Sequence, residues 1–160
     1  MRSWECKMNV DTGRILAEVF LDILERTAFM FGEITEISEV SEIAPESVHA
    51  SIAFKGEIEG KIEIVAPCDF CTELAANMLG TDPNDDVAER RGIDSLRELL
   101  NITCGNFVTA VTGNRSVTDI RVASTRIIPS SACNELMQES GWTAIMVDEN
   151  PILVRLSSGC

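Results

Sequence analysis

The sequence predicts an α/β protein of the α+β type, a mainly antiparallel sheet with long helices packed on it. Three observations carry this. A helical apolar stripe opens the chain, two pairs of period-two runs meet at short turns, and a long amphipathic helix lies between those pairs. Hairpins in place of strand-helix-strand alternation point to antiparallel pairing.

In order, Thr12 to Phe31 carries Ile15, Leu16, Val19, Phe20, Ile23, Leu24 and Ala28 at spacings of three and four. Asp11 or Thr12 is the expected N-cap and Gly32 the expected stop. Ile34 to Ile43 reads as a strand with poor alternation. Val48, Ala50, Ile52 and Phe54 alternate with His49, Ser51, Ala53 and Lys55, and Ile58, Ile62 and Ile64 alternate with Glu57, Glu59, Lys61 and Glu63. Two such runs around Lys55-Gly56 read as a hairpin with one wet and one buried face. Pro67 opens a short helix that runs to Leu79 and stops at Gly80. Thr81 to Val87 is a polar connector and the candidate hinge. A long helix follows from about Gly92 to Val111. Asp119 to Ile128 and Thr143 to Val147 read as strands, and Asp148-Glu149-Asn150-Pro151 turns into Ile152 to Leu156. Phe29, Phe31, Phe54 and Phe70 are expected in the core, and Ser157 to Cys160 is expected to be a flexible tail.

Composition narrows the function classes. Apolar residues make up 45% of the 160, with 10 Gly and 5 Pro, which excludes a disordered or collagenous chain. Acidic residues outnumber basic ones 26 to 13, and no basic patch is visible, so nucleic acid is not an expected partner. The single histidine, His49, excludes two-histidine mechanisms and the usual catalytic zinc sites. The N-terminus has no apolar signal region, and no apolar run approaches the roughly 18–20 residues that span a bilayer. Six cysteines without a secretory signal are most simply reduced thiols. The expectation is one cytoplasmic domain over residues 1–160, off the membrane.

The long helix holds the strongest chemical pattern. At about 100° per residue from Asp94, Glu98 lies near 40°, Asn101 near −20° and Gly105 near 20°. Leu96, Leu99, Leu100, Thr103, Phe107 and Ala110 gather on the opposite side. An acid, an acid, an amide and a glycine thus share one stripe, with Glu98 and Asn101 as i,i+3 neighbours able to act on one ligand. Polar stripes are usually solvated faces. Yet asparagine prefers caps, and glycine costs roughly 1 kcal/mol against alanine in a helix interior, so neither has a reason on a face that meets only water. A glycine there lets another surface approach the helix backbone. Arg90, Arg91 and Arg97 cluster near the helix start, where they either compensate Asp86, Asp94 and Glu98 or receive a partner's acids.

Asp94-x3-Glu98-x2-Asn101, continuing as ELLNITCGN after a helix reading CDFCTELAANMLG, resembles the Glu-x2-Asn signature of the CheC/CheX/FliY chemotaxis phosphatases. The layout from first helix to last hairpin is compatible. CheC-type members carry two such sites. Glu18 and Glu25 in the first helix are followed at the third position by Leu21 and Ala28, not Asn, so the single-site CheX branch fits. Pro129 lies 28 residues after Asn101 and is assigned no role.

The resemblance implies a phosphatase acting on the aspartyl phosphate of a CheY-like response regulator. Asn101 would orient the attacking water. Glu98 would engage a basic residue of the regulator, with Asp94, Arg97 and Gly105 at the contact. No cofactor or metal would be held by this chain, Mg2+ arriving with the regulator, and the members pair as homodimers. The alternative is a non-catalytic dimeric module that binds a regulator or flagellar-switch component.

Cys68-Asp-Phe-Cys71 at a helix start is a competing constellation. It follows a hairpin, unlike a thioredoxin motif, and Cys6, Cys104, Cys133 and His49 show no paired zinc spacing. The two thiols can instead pack as small apolar side chains. His49 is expected on the solvent face of its strand. Asp82, Asp85 and Asp86 resemble fragments of a calcium loop that Pro83 and the missing glycine defeat.

Overall fold

The computed structural model describes residues 10–113, 117–121 and 123–158. The elements run α1 Val10–Ala28, β1 Gly32–Thr35, a 3-10 turn Ile37–Glu39, β2 Glu46–Gly56, β3 Gly60–Pro67, α2 Cys68–Leu79, α3 Asp86–Thr112, β4 Val117–Ile120, β5 Ser124–Pro129, α4 Ser130–Met137, β6 Trp142–Val147 and β7 Asn150–Ser158. Every strand pairing is antiparallel, in the order β1-β6-β7-β3-β2-β4, with β5 also on β2. The expected fold class is therefore what the chain adopts.

The period-two pattern decides which face each residue serves. Val48, Ala50, Ile52 and Phe54 of β2 are buried with Ile62 and Ile64 of β3 and Ile152 and Val154 of β7. They form one core with Leu16, Phe20 and Leu24 of α1, Phe70 and Leu74 of α2, and Leu96, Leu99, Leu100 and Phe107 of α3. The other face is partly covered by a smaller cluster, in which Val65, Ile128, Trp142 and Leu153 meet α4 and residues 37–43. Among the described residues no helix is long and apolar enough to cross a membrane.

Several expectations are corrected. Gly32 does not stop α1: the helix ends at Ala28, and Phe29 takes the left-handed turn at φ 54°. Gly32 instead begins β1, where a Cβ would stand 2.6 Å from the Met146 carbonyl oxygen of β6. Phe29 and Phe31 are 75% and 63% exposed, not core, because that turn swings them off the helix stripe. The expected strand Ile34 to Ile43 is only β1 at its start. Ile37, Val40 and Ile43 then lie against the smaller cluster at spacing three. Gly56 ends β2, and Ile58 is buried in the hairpin loop before β3, so β3 starts at Gly60.

Asp119 to Ile128 is not one strand but β4 and β5, both laid along β2, and α4 follows where no element was expected. The Asp148 turn closes β6 onto β7 as expected. Ser157 and Ser158 belong to β7 rather than to a tail. Gly159 and Cys160, like Cys6, lie outside the described residues.

His49 does face away from the helices, yet its side chain is only 10% exposed. Arginine can only donate, so the Arg126 contacts to His49 Nδ1 at 3.1 and 3.3 Å make that nitrogen an acceptor and leave the proton on Nε2. Nε2 donates to Glu63 Oε1 at 3.1 Å, Arg155 Nε donates to Glu63 Oε2 at 2.8 Å, and Arg155 continues to Glu139. Arg155 also lies 4.2 Å over the Trp142 ring. Burial alone would raise the Glu63 pKa. The His49 and Arg155 hydrogen bonds, with the Arg155 and Lys61 charges, outweigh it and hold the carboxyl at about 2.

Candidate functional site

α3 carries the site. It begins at Asp86, six residues before the expected Gly92, because Asp85 caps it: the Asp85 carboxylate accepts from Val87 N–H at 3.0 Å. The connector before it is pinned by Asp82, which accepts from Asn84 N–H at 2.8 Å. Gly92 brings α3 against α2 so closely that a Cβ would meet the Cys71 carbonyl carbon at 3.2 Å. The buried side of α3 is Leu96, Leu99, Leu100, Thr103 and Phe107, as the helical period requires, joined by Cys104 and Val108; Ala110 is exposed.

The opposite stripe is open. Asp94, Glu98 and Asn101 are exposed, and a Cβ at Gly105 would meet nothing within 4 Å. Arg91 and Arg97 both reach Asp94, at 3.8 and 3.7 Å, so the compensating reading of those two arginines holds at i,i+3 spacing. Exposed pairs of this kind contribute only a few tenths of a kcal/mol. Their effect on the site is to leave Glu98 without an ion pair among the described residues.

Two asparagines on α3 behave differently. Asn106 folds back to donate to the Ile102 carbonyl at 2.9 Å. The Asn101 amide makes no hydrogen bond to a described residue, so its donor and its acceptor are both available to a ligand.

Glu98, Asn101 and Arg97 form one wall of a surface hollow of about 360 Å³ whose other wall is Ile120, Arg121 and Ala123. That second wall was not foreseen. It is built by β4: Ile120 pairs in register with Phe54, and Arg121 N–H donates to the Ala53 carbonyl at 2.9 Å. Phe54 packs edge-on against Phe107 of α3, ring centroids 6.3 Å apart, and so sets the spacing between the two walls. Nothing local in the sequence around Arg121 marks it, because its place on the wall facing Asn101 depends on β4 pairing with β2.

Metal chemistry fits the hollow poorly. One carboxylate and two guanidinium groups line it, whereas Mg2+ takes oxygen ligands in near-octahedral geometry. Among the described residues no three His, Cys, Asp or Glu side chains are grouped to hold an ion. Cys71 is buried, and that burial pushes its thiol up to about 12; burial with the Glu46 and Asp69 charges also raises Cys68. Both shifts oppose the thiolate that redox or metal binding needs, and Cys71 serves as helix packing against Gly92.

Known proteins share this architecture. CheX from Desulfovibrio desulfuricans superposes with a TM-score of 0.66 at 13% identity, covering 94% of this chain and 100% of its own. A CheX-CheY-BeF3-Mg2+ complex from Borrelia burgdorferi matches with a TM-score of 0.61 at 21% identity, over 93% of this chain and 98% of that one. Thermotoga maritima FliY matches with a TM-score of 0.59 at 14% identity, over 99% and 92%. At these identities the likeness is one of fold. No curated protein matches the chain in sequence. The family described as chemotaxis phosphatase CheX matches residues 48–127, half of the chain, from β2 through α3 into β5. The resemblance seen in the Glu98-x2-Asn101 string is borne out, and the chain belongs to the CheX family of chemotaxis phosphatases.

Proposed function

We propose that this protein hydrolyses the aspartyl phosphate of a CheY-like response regulator, with Asn101 and Glu98 as the working pair. The observation that carries the reading is their placement: two exposed side chains one helical turn apart, neither engaged by another described residue, facing one hollow. Family membership and the fold shared with a CheX that binds CheY support it.

An acyl phosphate already has a good leaving group, so catalysis consists of aligning a nucleophile and stabilising charge. The Asn101 amide accepts from a water and donates toward the phosphoryl oxygens while staying neutral, so it adds no repulsion. Glu98 would repel the phosphate and is instead the group that pairs with a cation of the regulator, seating the amide. Asp94 and Arg97 support that contact at the rim, and Gly105 lets the regulator approach the helix backbone. Mg2+ belongs to the regulator's own acidic pocket, consistent with the donor set of the hollow.

In this reading residues 1–160 act as one cytoplasmic domain. Two copies pair through an open sheet edge, a point that sedimentation would check. The decisive experiment follows the decay of phosphorylated regulators with catalytic amounts of the parent protein, Asn101→Ala and Glu98→Ala. Accelerated decay that Asn101→Ala abolishes, with the fold intact, supports the mechanism; unchanged turnover in that variant refutes it. Binding without acceleration by the parent would leave α3 as a docking surface only.

A further inference from the structure

The proposed chemistry leaves a charge problem. The chain carries a net charge of −13, and its substrate would be an aspartyl phosphate set in an acidic pocket. Like-charged surfaces slow encounter and weaken docking unless a local cation offsets them. The hollow has two cations on its walls. Arg97 already has a partner in Asp94 at 3.7 Å, a carboxylate it shares with Arg91. Arg121 is exposed on the opposite wall, and its guanidinium makes no ion pair or hydrogen bond with a described residue.

Arg121 is also held in place. Its backbone N–H is anchored to Ala53 in β2 at 2.9 Å, directly after the register pair of Ile120 with Phe54. Its base is thus fixed to the central sheet while its head has no partner among the described residues. The planar guanidinium suits bidentate capture of a carboxylate better than an ammonium would.

We infer that Arg121 is a partner-binding residue, whose guanidinium receives a carboxylate on the regulator surface beside the phosphorylated aspartate. The inference rests on the proposed regulator phosphatase reading and extends its contact from α3 to the β4–β5 connection. Glu98 takes a cation of the partner on one wall and Arg121 takes an anion on the other, so the pair fixes the orientation in which Asn101 meets the phosphoryl group.

The test is a titration of beryllofluoride-activated regulator into the parent, Arg121→Ala, Arg121→Glu and Arg121→Lys, at low and high NaCl, beside steady-state dephosphorylation. Arg121→Ala is expected to weaken binding and raise KM by roughly tenfold or more, the size of one lost charge-assisted hydrogen bond, while kcat stays within about twofold. Arg121→Glu is expected to weaken binding further, Arg121→Lys to recover part of it, and the salt dependence of the parent to flatten in Arg121→Ala. Thermal unfolding should be unchanged in all three, because the anchor is the backbone N–H. Equal affinity, KM and salt dependence across the four proteins would overturn the inference. A parent that binds without turnover would sink the hydrolysis alone, since the affinity comparison still judges Arg121. A parent that binds no regulator overturns both.

Discussion

Two glycines on α3 make opposite demands, and exchanging each for alanine separates folding from docking. In a helix interior Gly→Ala gains about 0.8–1 kcal/mol from propensity and the unfolded chain's lost freedom. At Gly105 a Cβ meets nothing within 4 Å, so the whole gain should appear. For a domain of this size about 1 kcal/mol raises Tm by roughly 2–4 °C. At Gly92 the same Cβ stands 3.2 Å from the Cys71 carbonyl carbon and 3.3 Å from its oxygen. These are backbone atoms of a packed helix, so α2 and α3 must part by a few tenths of an ångström, and Gly92→Ala should end below the parent. Urea unfolding of both variants measures this directly. The functional half is read in the phosphatase assay. If a partner approaches the backbone at Gly105, Gly105→Ala gains stability yet loses affinity, and Gly105→Leu loses more. A Gly105→Ala that is less stable than the parent refutes the packing argument. Full affinity in Gly105→Leu refutes the docking role.

Three further outcomes follow from the same geometry. Glu63 has its pKa held near 2, against an ordinary 4.5, so it stabilises the fold by on the order of 3 kcal/mol at neutral pH. That contribution is full above about pH 5 and fades as pH falls toward 2, because the folded value lies below the unfolded one. Glu63→Gln should lose about that much at pH 7, leave Arg155 short of its partner, and flatten the acid limb of a stability-pH curve; an unchanged acid limb would count against the network. Phe29→Gly should stabilise by about 0.5–1 kcal/mol in thermal unfolding, since it relieves a left-handed φ of 54° at a side chain 75% exposed. Asn101→Asp keeps the shape of the amide but adds a charge facing the phosphoryl group, and it should slow regulator dephosphorylation by roughly 100-fold with unfolding unchanged.

Much of the protein is local in origin and so could be read along the chain. The stripes of α1 and α3 repeat every three or four residues, and the sides of β2 and β3 alternate by two, so the core faces follow from neighbours alone. The Asp94, Glu98, Asn101 and Gly105 stripe is legible for the same reason, because one helix carries it. What the chain could not declare is set by pairing between distant segments. Phe29 turns left-handed where Gly32 was the expected stop, because Gly32 is needed for the close approach of β1 to β6. His49, Glu63 and Arg155 look like wet-face residues until β5, β2, β3 and β7 lie side by side and largely cover them in one network, which the exposed Arg126 joins at its rim. The second wall of the hollow is of the same kind: Arg121 lines the same hollow as Asn101 only because β4 takes β2 as its partner and Phe54 spaces α3 from the strand. Periodicity determines which way each element faces; register, which is closed only by folding, decides what those faces meet.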